Sequence, residues 1–237
     1  MRDRWAEWAR PQVRAAVDLA DPLMKTAVSG RMLATELYDR WFAGPVATGD
    51  AAGATPLVGA YRSAHAAVAR RTVDRVPVLE RYDKLGTDGW WRTWNTSWQP
   101  RRAHPRILLS PQVDAAPELV ALLTAQLRDV PYLLACPTDA ARLGRTGSVV
   151  LYAARLGAVS AQVLRSARPL LRNDTPPLCL PVAPGVAVAQ YPDNGMTFGE
   201  HRCHLLALAL RGPARSLGAI ADVFAAYGVD PERPYRS

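Results

Sequence analysis

Asn194-Gly195-Met196-Thr197-Phe198-Gly199-Glu200-His201-Arg202-Cys203-His204 is the densest polar cluster of the chain. It follows an apolar run, Val186 to Gln190, that reads as a strand. It opens a helix predicted over Glu200 to Arg211, where the apolar spacing changes to helical. Thr197 with Glu200 three residues later forms a capping box, which marks where the helix starts. A second closing helix is predicted over Ser216 to Tyr227, with Gly228 at the position where helices end. Upstream, Thr175-Pro176-Pro177-Leu178-Cys179-Leu180-Pro181 is broken by prolines, and a helix is expected over Leu156 to Leu171.

Further upstream, Ser148 to Tyr152, Tyr132 to Ala135 and Arg106 to Leu109 are short apolar strand segments. Asp114 is placed to cap an amphipathic helix through Leu119, Leu122, Leu123 and Leu127. Asp88-Gly89 is a turn signal, and Trp90 to Trp98 alternates as a strand rich in tryptophan. Residues 1–82 read as helical. Ser29 caps Gly30 to Phe42, a loop covers Ala47 to Ala54, and a second helix covers Pro56 to Thr72. The order gives an α+β class: an N-terminal helical part (1–82), then a mixed or antiparallel sheet packed with helices (83–237), in one continuous globular unit.

With 237 residues, 29 Lys+Arg against 21 Asp+Glu and a formal net charge of +8, the chain can bury a core and is too apolar for disorder. It contains no apolar run long enough to span a membrane, and its first residues are not a secretory signal. Cys136, Cys179 and Cys203 fit neither a zinc site nor a disulfide framework, so reduced thiols in a cytoplasm are expected. Lys25 and Lys84 are the only lysines. The arginine excess is either compositional drift or a surface for anions, since guanidinium binds phosphate bidentately and keeps its charge. Nucleic acid has no motif behind it.

Several residues are suited to chemistry. His201 and Arg202 set a titratable group beside a fixed cation. Trp90, Trp91, Trp94 and Trp98 form a core wall or subunit interface, or a groove against which an extended peptide adds as a strand. Arg101-Arg102-Ala103-His104-Pro105-Arg106 is a solvated basic loop or a steering element for an acidic ligand.

The string Thr197-Phe198-Gly199-Glu200-His201-Arg202-Cys203 resembles S-F-G-x-H-R-C, the signature of the HopA family, named for a type III secretion effector. Other pieces fit in the same order. Leu37-Tyr38-Asp39-Arg40-Trp41-Phe42 resembles L-Y-x-x-W followed by an aromatic residue, and Asp88-Gly89-Trp90 resembles the family's G-W. Arg106 to Leu134 resembles a strand–helix–strand ending in V-P-F-x-L-K, and Arg145 to Tyr152 resembles R-x-D-x-x-V-L-Y. Pro184 to Ala189 resembles G-V-x-x-A-E, and Gly228 to Tyr235 resembles the family's ending.

Bacterial relatives accompany pathways for ribosomally made, modified peptides, including class V lanthipeptides and thioamitides. The resemblance implies a lyase that removes phosphate from phospho-Ser or phospho-Thr of a precursor peptide after a small phosphotransferase-like kinase has added it. The product is dehydroalanine or dehydrobutyrine. Such a reaction needs a base for the Cα proton and cations for the leaving phosphate, and implies no metal or organic cofactor. On this reading His201 and Lys84 are the acid–base candidates. Arg202, Arg145 and Arg106 bind phosphate, while Tyr152, Thr197, Trp94 and Arg102 bind substrate. The implied partners are the phosphopeptide and the kinase, in a homo- or hetero-oligomer, with no nucleic acid or membrane.

Three departures stand against these matches. Ala135 replaces the family lysine, Gly147 replaces the Asp of R-x-D, and Gln190 replaces the acidic residue after G-V-x-x-A. Ala135 and Gly147, together with the tryptophan cluster, support a rival expectation: a degenerate subunit that binds the precursor peptide or scaffolds the kinase.

Overall fold

A computed structural model describes residues 5–26, 29–44, 57–69, 78–81, 89–95, 105–153, 159, 161–192 and 194–236. The fold is α+β, and the chain divides into two compact units. One comprises Met1–Pro45, Pro176–Leu180 and Ala189–Ser237; the other comprises Val46–Thr175 and Pro181–Val188. The first and last helices of the chain therefore share one unit, while the helix of residues 57–69 belongs with the sheet.

The first unit holds α1 (Arg10–Leu23), α2 (Gly30–Leu37) continued by a π-helical turn (Tyr38–Phe42), α7 (Phe198–Leu210) and α8 (Leu217–Ala226). Ser29 caps α2 as expected, its hydroxyl accepting from the Met32 N–H. The core follows from helical spacing: Val13, Ala16, Ala20 and Leu23 of α1, and Leu33 and Leu37 of α2, are buried. Trp5 meets Phe224 edge-on at 5.0 Å and donates its indole N–H to the Leu217 carbonyl. Phe42 stacks on Tyr38 and meets Phe198 at 6.1 Å. That packing requires glycine at 199, because a β-carbon there would collide with the Phe42 ring and come within 2.8 Å of Tyr38.

The second unit holds α3 (Leu57–Ala69), α4 (Ala116–Gln126), α5 (Ala140–Leu143), α6 (Ala161–Ala167) and a seven-stranded sheet. The strands are β1 (Val78–Arg81), β2 (Trp90–Asn95), β3 (Arg106–Leu109), β4 (Tyr132–Pro137), β5 (Val149–Ala153), β6 (Leu180–Ala183) and β7 (Val186–Ala189). Their spatial order is β1-β2-β4-β5-β3-β7-β6, and the β1–β2, β2–β4, β4–β5 and β3–β5 pairs are antiparallel.

Alternation along the strands separates two faces. Trp91, Ile107, Leu109, Tyr132, Leu134, Cys136, Val149 and Leu151 share the core with Tyr61 of α3 and with Leu119 and Leu123 of α4. The same side carries a polar group: Thr93 and His65, both buried, lie 3.3 Å apart at the threonine Oγ1 and His Nε2. Pro184-Gly185 turns β6 into β7. Gly185 has φ of +74°, and a β-carbon there would strike the Arg172 carbonyl. Cys136, Cys179 and Cys203 are free and buried.

Some expectations are corrected. Residues 78–81, read as part of a helical region, form β1, because pairing with β2 outweighs local preference. The proline-broken segment contributes β6; Pro181 is tolerated because β6 is the sheet's last strand, where a missing N–H costs least. Asp114 does not cap α4. That helix starts at Ala116 with a proline in its first turn and no side-chain cap. The helix expected to Leu171 stops at Ala167 and tightens into a 3-10 turn, Arg168–Leu170, at Pro169.

Candidate functional site

Pairing register places three of the expected site residues in one line. Trp94 of β2 pairs with Leu133 of β4, Leu133 with Tyr152 of β5, and Tyr152 with Arg106 of β3. Cross-strand partners in register lie on the same face, so Trp94, Leu133, Tyr152 and Arg106 form a row across four strands. All four are half-buried, on the face opposite the Trp91–Leu134–Leu151 core. The Arg106 guanidinium carbon lies 4.6 Å from the centre of the Tyr152 ring. This is a cation–π contact that holds the charge over its neighbour.

A second row runs beside it: Arg92, Ala135, Val150 and Leu108. Ala135, which stands where the resemblance calls for lysine, is on this face, directly opposite Arg92. Strands β2 to β5 contain no acidic residue, so their own contribution to this face is two arginines and no carboxylate. The arrangement sets two guanidinium groups, a phenol and an indole on one face, with Ala135 between them buried.

The remaining expected residues lie elsewhere. Arg145 follows α5, and its carbonyl accepts from Arg172 Nη2 at 2.8 Å. It precedes Val149, which pairs with Leu109 at the other end of the β3–β5 ladder from the Arg106–Tyr152 pair. Those two pairs are separated by three residues, about 10 Å along the strands. Gly147, which replaces the family Asp, has φ of +59° and donates its N–H to Ser110 Oγ at 2.8 Å. Lys84 and Arg102 lie outside the described residues.

His201, Arg202 and Thr197 belong to the first unit. Arg202 is 0 % exposed. Its Nε donates to the Pro234 carbonyl at 2.9 Å, its Nη2 to the Arg236 carbonyl, and its Nη1 to His201 Nδ1 at 2.6 Å. The guanidinium also lies 4.5 Å over the Phe198 ring. Burial pushes Arg202 down to about 10, which leaves it charged at neutral pH.

Burial first, then the Arg202 and His204 charges, holds His201 down at about 4, so the imidazole is neutral and accepts from Arg202. The expected phosphate clamp is therefore a buried clasp on the C-terminal segment. The expected acid–base histidine is its neutral acceptor. Burial raises the nearby Cys179 thiol, and the Arg202 charge opposes that rise. Thr197 caps α7: its hydroxyl accepts from the Glu200 N–H, and the Glu200 carboxylate accepts from the Thr197 N–H at 2.7 Å. The Gln190 N–H donates to the Tyr235 carbonyl at 2.8 Å, so this departure also touches the C-terminal segment.

Sequence reasoning missed Arg92. The available signal was parity, because Arg92 is two residues from Trp94 in a strand and must share its face.

A sheet with helices packed on one face and a row of Trp, Tyr and Arg on the other defines an α+β protein. The chain belongs to the HopA1 effector protein family, whose family model matches residues 95–236. It is similar in structure to the effector protein from Pseudomonas syringae pv. tomato strain DC3000, with a TM-score of 0.67 and 13% identity over 97% of each chain. It is also similar to the effector protein from Pseudomonas syringae pv. syringae strain 61, with a TM-score of 0.62 and 16% identity over 95% of this chain and 97% of that one. At such identities the likeness is one of fold. No curated protein sequence matches this chain. No helix among the described residues is long and apolar enough to cross a membrane.

Proposed function

We propose that this chain eliminates phosphate from phospho-Ser or phospho-Thr of a ribosomally made precursor peptide, acting after a small kinase. The observation that carries the reading is the row Trp94–Leu133–Tyr152–Arg106, on a face to which strands β2 to β5 contribute arginine and no carboxylate. In the reaction a base takes the Cα proton, and the C–H electron pair becomes the Cα–Cβ double bond. The Cβ–O bond breaks, and phosphate leaves with both electrons of that bond. Arg106 receives the leaving phosphate, since a guanidinium fork matches two phosphate oxygens. Tyr152 and Trp94 hold the peptide across the strands.

The base must remain basic near neutral pH. His201, held neutral at its buried clasp with Nδ1 already accepting, is not suited to that task. Lys84 is the base candidate this reading retains, because an amine can accept the Cα proton when desolvation lowers its affinity for its own. No step requires an oxidant or a metal.

A second reading has one observation in its favour: Ala135 leaves the face without the lysine of the resemblance. In that case the same surface binds the precursor peptide, or scaffolds the kinase, without performing chemistry. Incubating the purified chain with a kinase-phosphorylated precursor and following it by mass spectrometry separates the two readings. Loss of the elements of phosphoric acid, abolished by Arg106→Ala, supports the lyase. Retained phosphate with tight peptide binding supports the binding subunit.

A further inference from the structure

We propose that the core beneath the sheet binds an internal water molecule, held by the hydroxyls of Tyr132 and Thr124 with Thr93 in reach. The inference does not depend on the phosphopeptide reading. Four polar side chains from four elements gather here: His65 of α3, Thr93 of β2, Thr124 of α4 and Tyr132 of β4. All are buried, with Thr93 and Tyr132 at 0 % exposed, Thr124 at 2 % and His65 at 5 %. Thr93 pairs with Leu134, and Tyr132, two residues before Leu134, projects to the same side of the sheet. There Tyr132 shares one apolar core with Trp91, Leu119, Leu123 and Leu134.

Two of the four satisfy each other: Thr93 Oγ1 and His65 Nε2 lie 3.3 Å apart, and Trp91 meets the imidazole edge-on at 6.1 Å. Burial pushes the Tyr132 phenol up, and the Thr124 and Thr93 hydroxyls beside it oppose that rise, so three hydroxyls are neighbours. Yet neither the Tyr132 hydroxyl nor Thr124 Oγ1 completes a hydrogen bond among the described residues. A threonine inside a helix can satisfy its hydroxyl on a carbonyl one turn back, and Thr124 does not. Buried unsatisfied hydroxyls are strongly destabilising, and native cores relieve them with ordered water that makes about three hydrogen bonds. Tyr132, Thr124 and Thr93 supply that number. Each hydroxyl has one proton and two lone pairs, so Thr93 keeps capacity beyond its contact with His65. Water suits the set because it donates and accepts at once. It ties α4 to β2 and β4 at positions next to Trp94 and Leu133 in sequence, and so braces the row from behind.

The test counts long-lived internal waters in the full chain by oxygen-17 magnetic relaxation dispersion, and reads stability by urea unfolding. Thr124→Val removes one hydroxyl at nearly constant shape, Tyr132→Phe removes the other, and Thr124→Ser keeps a hydroxyl in place. The double variant Thr124→Val with Tyr132→Phe is expected to hold about one long-lived water fewer than the wild-type chain, and Thr124→Ser as many. Each single deletion should lower the urea midpoint. The double variant should lose less than the two singles combined, because both changes release the same water.

Equal water counts in the wild-type chain and the folded double variant overturn the proposal. So does a Thr124→Val chain as stable as the wild type or more stable, since its hydroxyl would then be unsatisfied in the native state and its removal harmless. If the double variant does not unfold cooperatively, Thr124→Val against Thr124→Ser carries the same comparison: equal water counts and midpoints overturn the proposal, and a lower count and midpoint for valine support it.

Discussion

Replacing Arg202 by alanine separates a clasp from a ligand cation. In the folded chain its guanidinium donates to the carbonyls of Pro234 and Arg236 and to His201 Nδ1, and lies 4.5 Å over the Phe198 ring. Truncation leaves two main-chain acceptors without their donor, each worth about 1–3 kcal/mol when buried. It also removes a desolvated cation–π contact worth on the order of 1–2 kcal/mol. The expected loss is about 3–5 kcal/mol, with the lower end applying if the C-terminal segment frays and its carbonyls find water. Lysine retains the charge but cannot fork to both carbonyls and the imidazole, so Arg202→Lys should lose roughly half as much. Urea unfolding with linear extrapolation gives the stability change, and hydrogen exchange over residues 229–236 reports on the tail. Unchanged stability and unchanged tail protection, together with lost phosphopeptide affinity, would refute the clasp and return Arg202 to the ligand.

Three further outcomes follow from the same geometry. His201 is held at about 4 against an ordinary 6.5, so between those values the unfolded chain carries a proton that the native chain lacks. Stability should therefore rise with pH across that window and fall as pH drops through it, and urea midpoints should show His201→Gln flattening this slope. Gly199→Ala forces a β-carbon into the Phe42 ring and near Tyr38, and should cost about 1–3 kcal/mol in the same unfolding assay. Ala135→Lys sets an ammonium opposite Arg92 at a position only 3% exposed, and thermal unfolding should register a loss of about 1–3 kcal/mol from overpacking and like charge.

Much of the sheet was legible in advance. The apolar runs at Arg106–Leu109, Tyr132–Ala135 and Ser148–Tyr152 became β3, β4 and β5, because a short apolar run too brief for a helix is a strand signal. The α7 capping box was legible for the same local reason. Strands β1 and β6 were not, since their identity comes from pairing with distant segments and, for β6, survives a proline.

The site divided along similar lines. Trp94, Tyr152 and Arg106 were named for separate reasons, and only the pairing register shows that they form one row. His201 and Arg202 were read as chemistry because they are polar, titratable and adjacent. Whether a polar residue faces solvent or clasps a carbonyl depends on a C-terminal segment more than thirty residues away in sequence. No local pattern encodes that contact. Arg92 shows the converse: its place on the face follows from parity with Trp94, yet a lone arginine in a tryptophan-rich strand attracts no attention by itself.

The central claim is that the Arg106 row binds a phosphopeptide and drives out its phosphate. The most direct measurement is single-turnover mass spectrometry of a kinase-phosphorylated precursor mixed with the wild-type chain or with Arg106→Ala. The account predicts a dehydroamino acid with the wild-type chain, and intact phosphopeptide, bound more weakly, with the variant. A variant that eliminates phosphate as fast as the wild-type chain would contradict it.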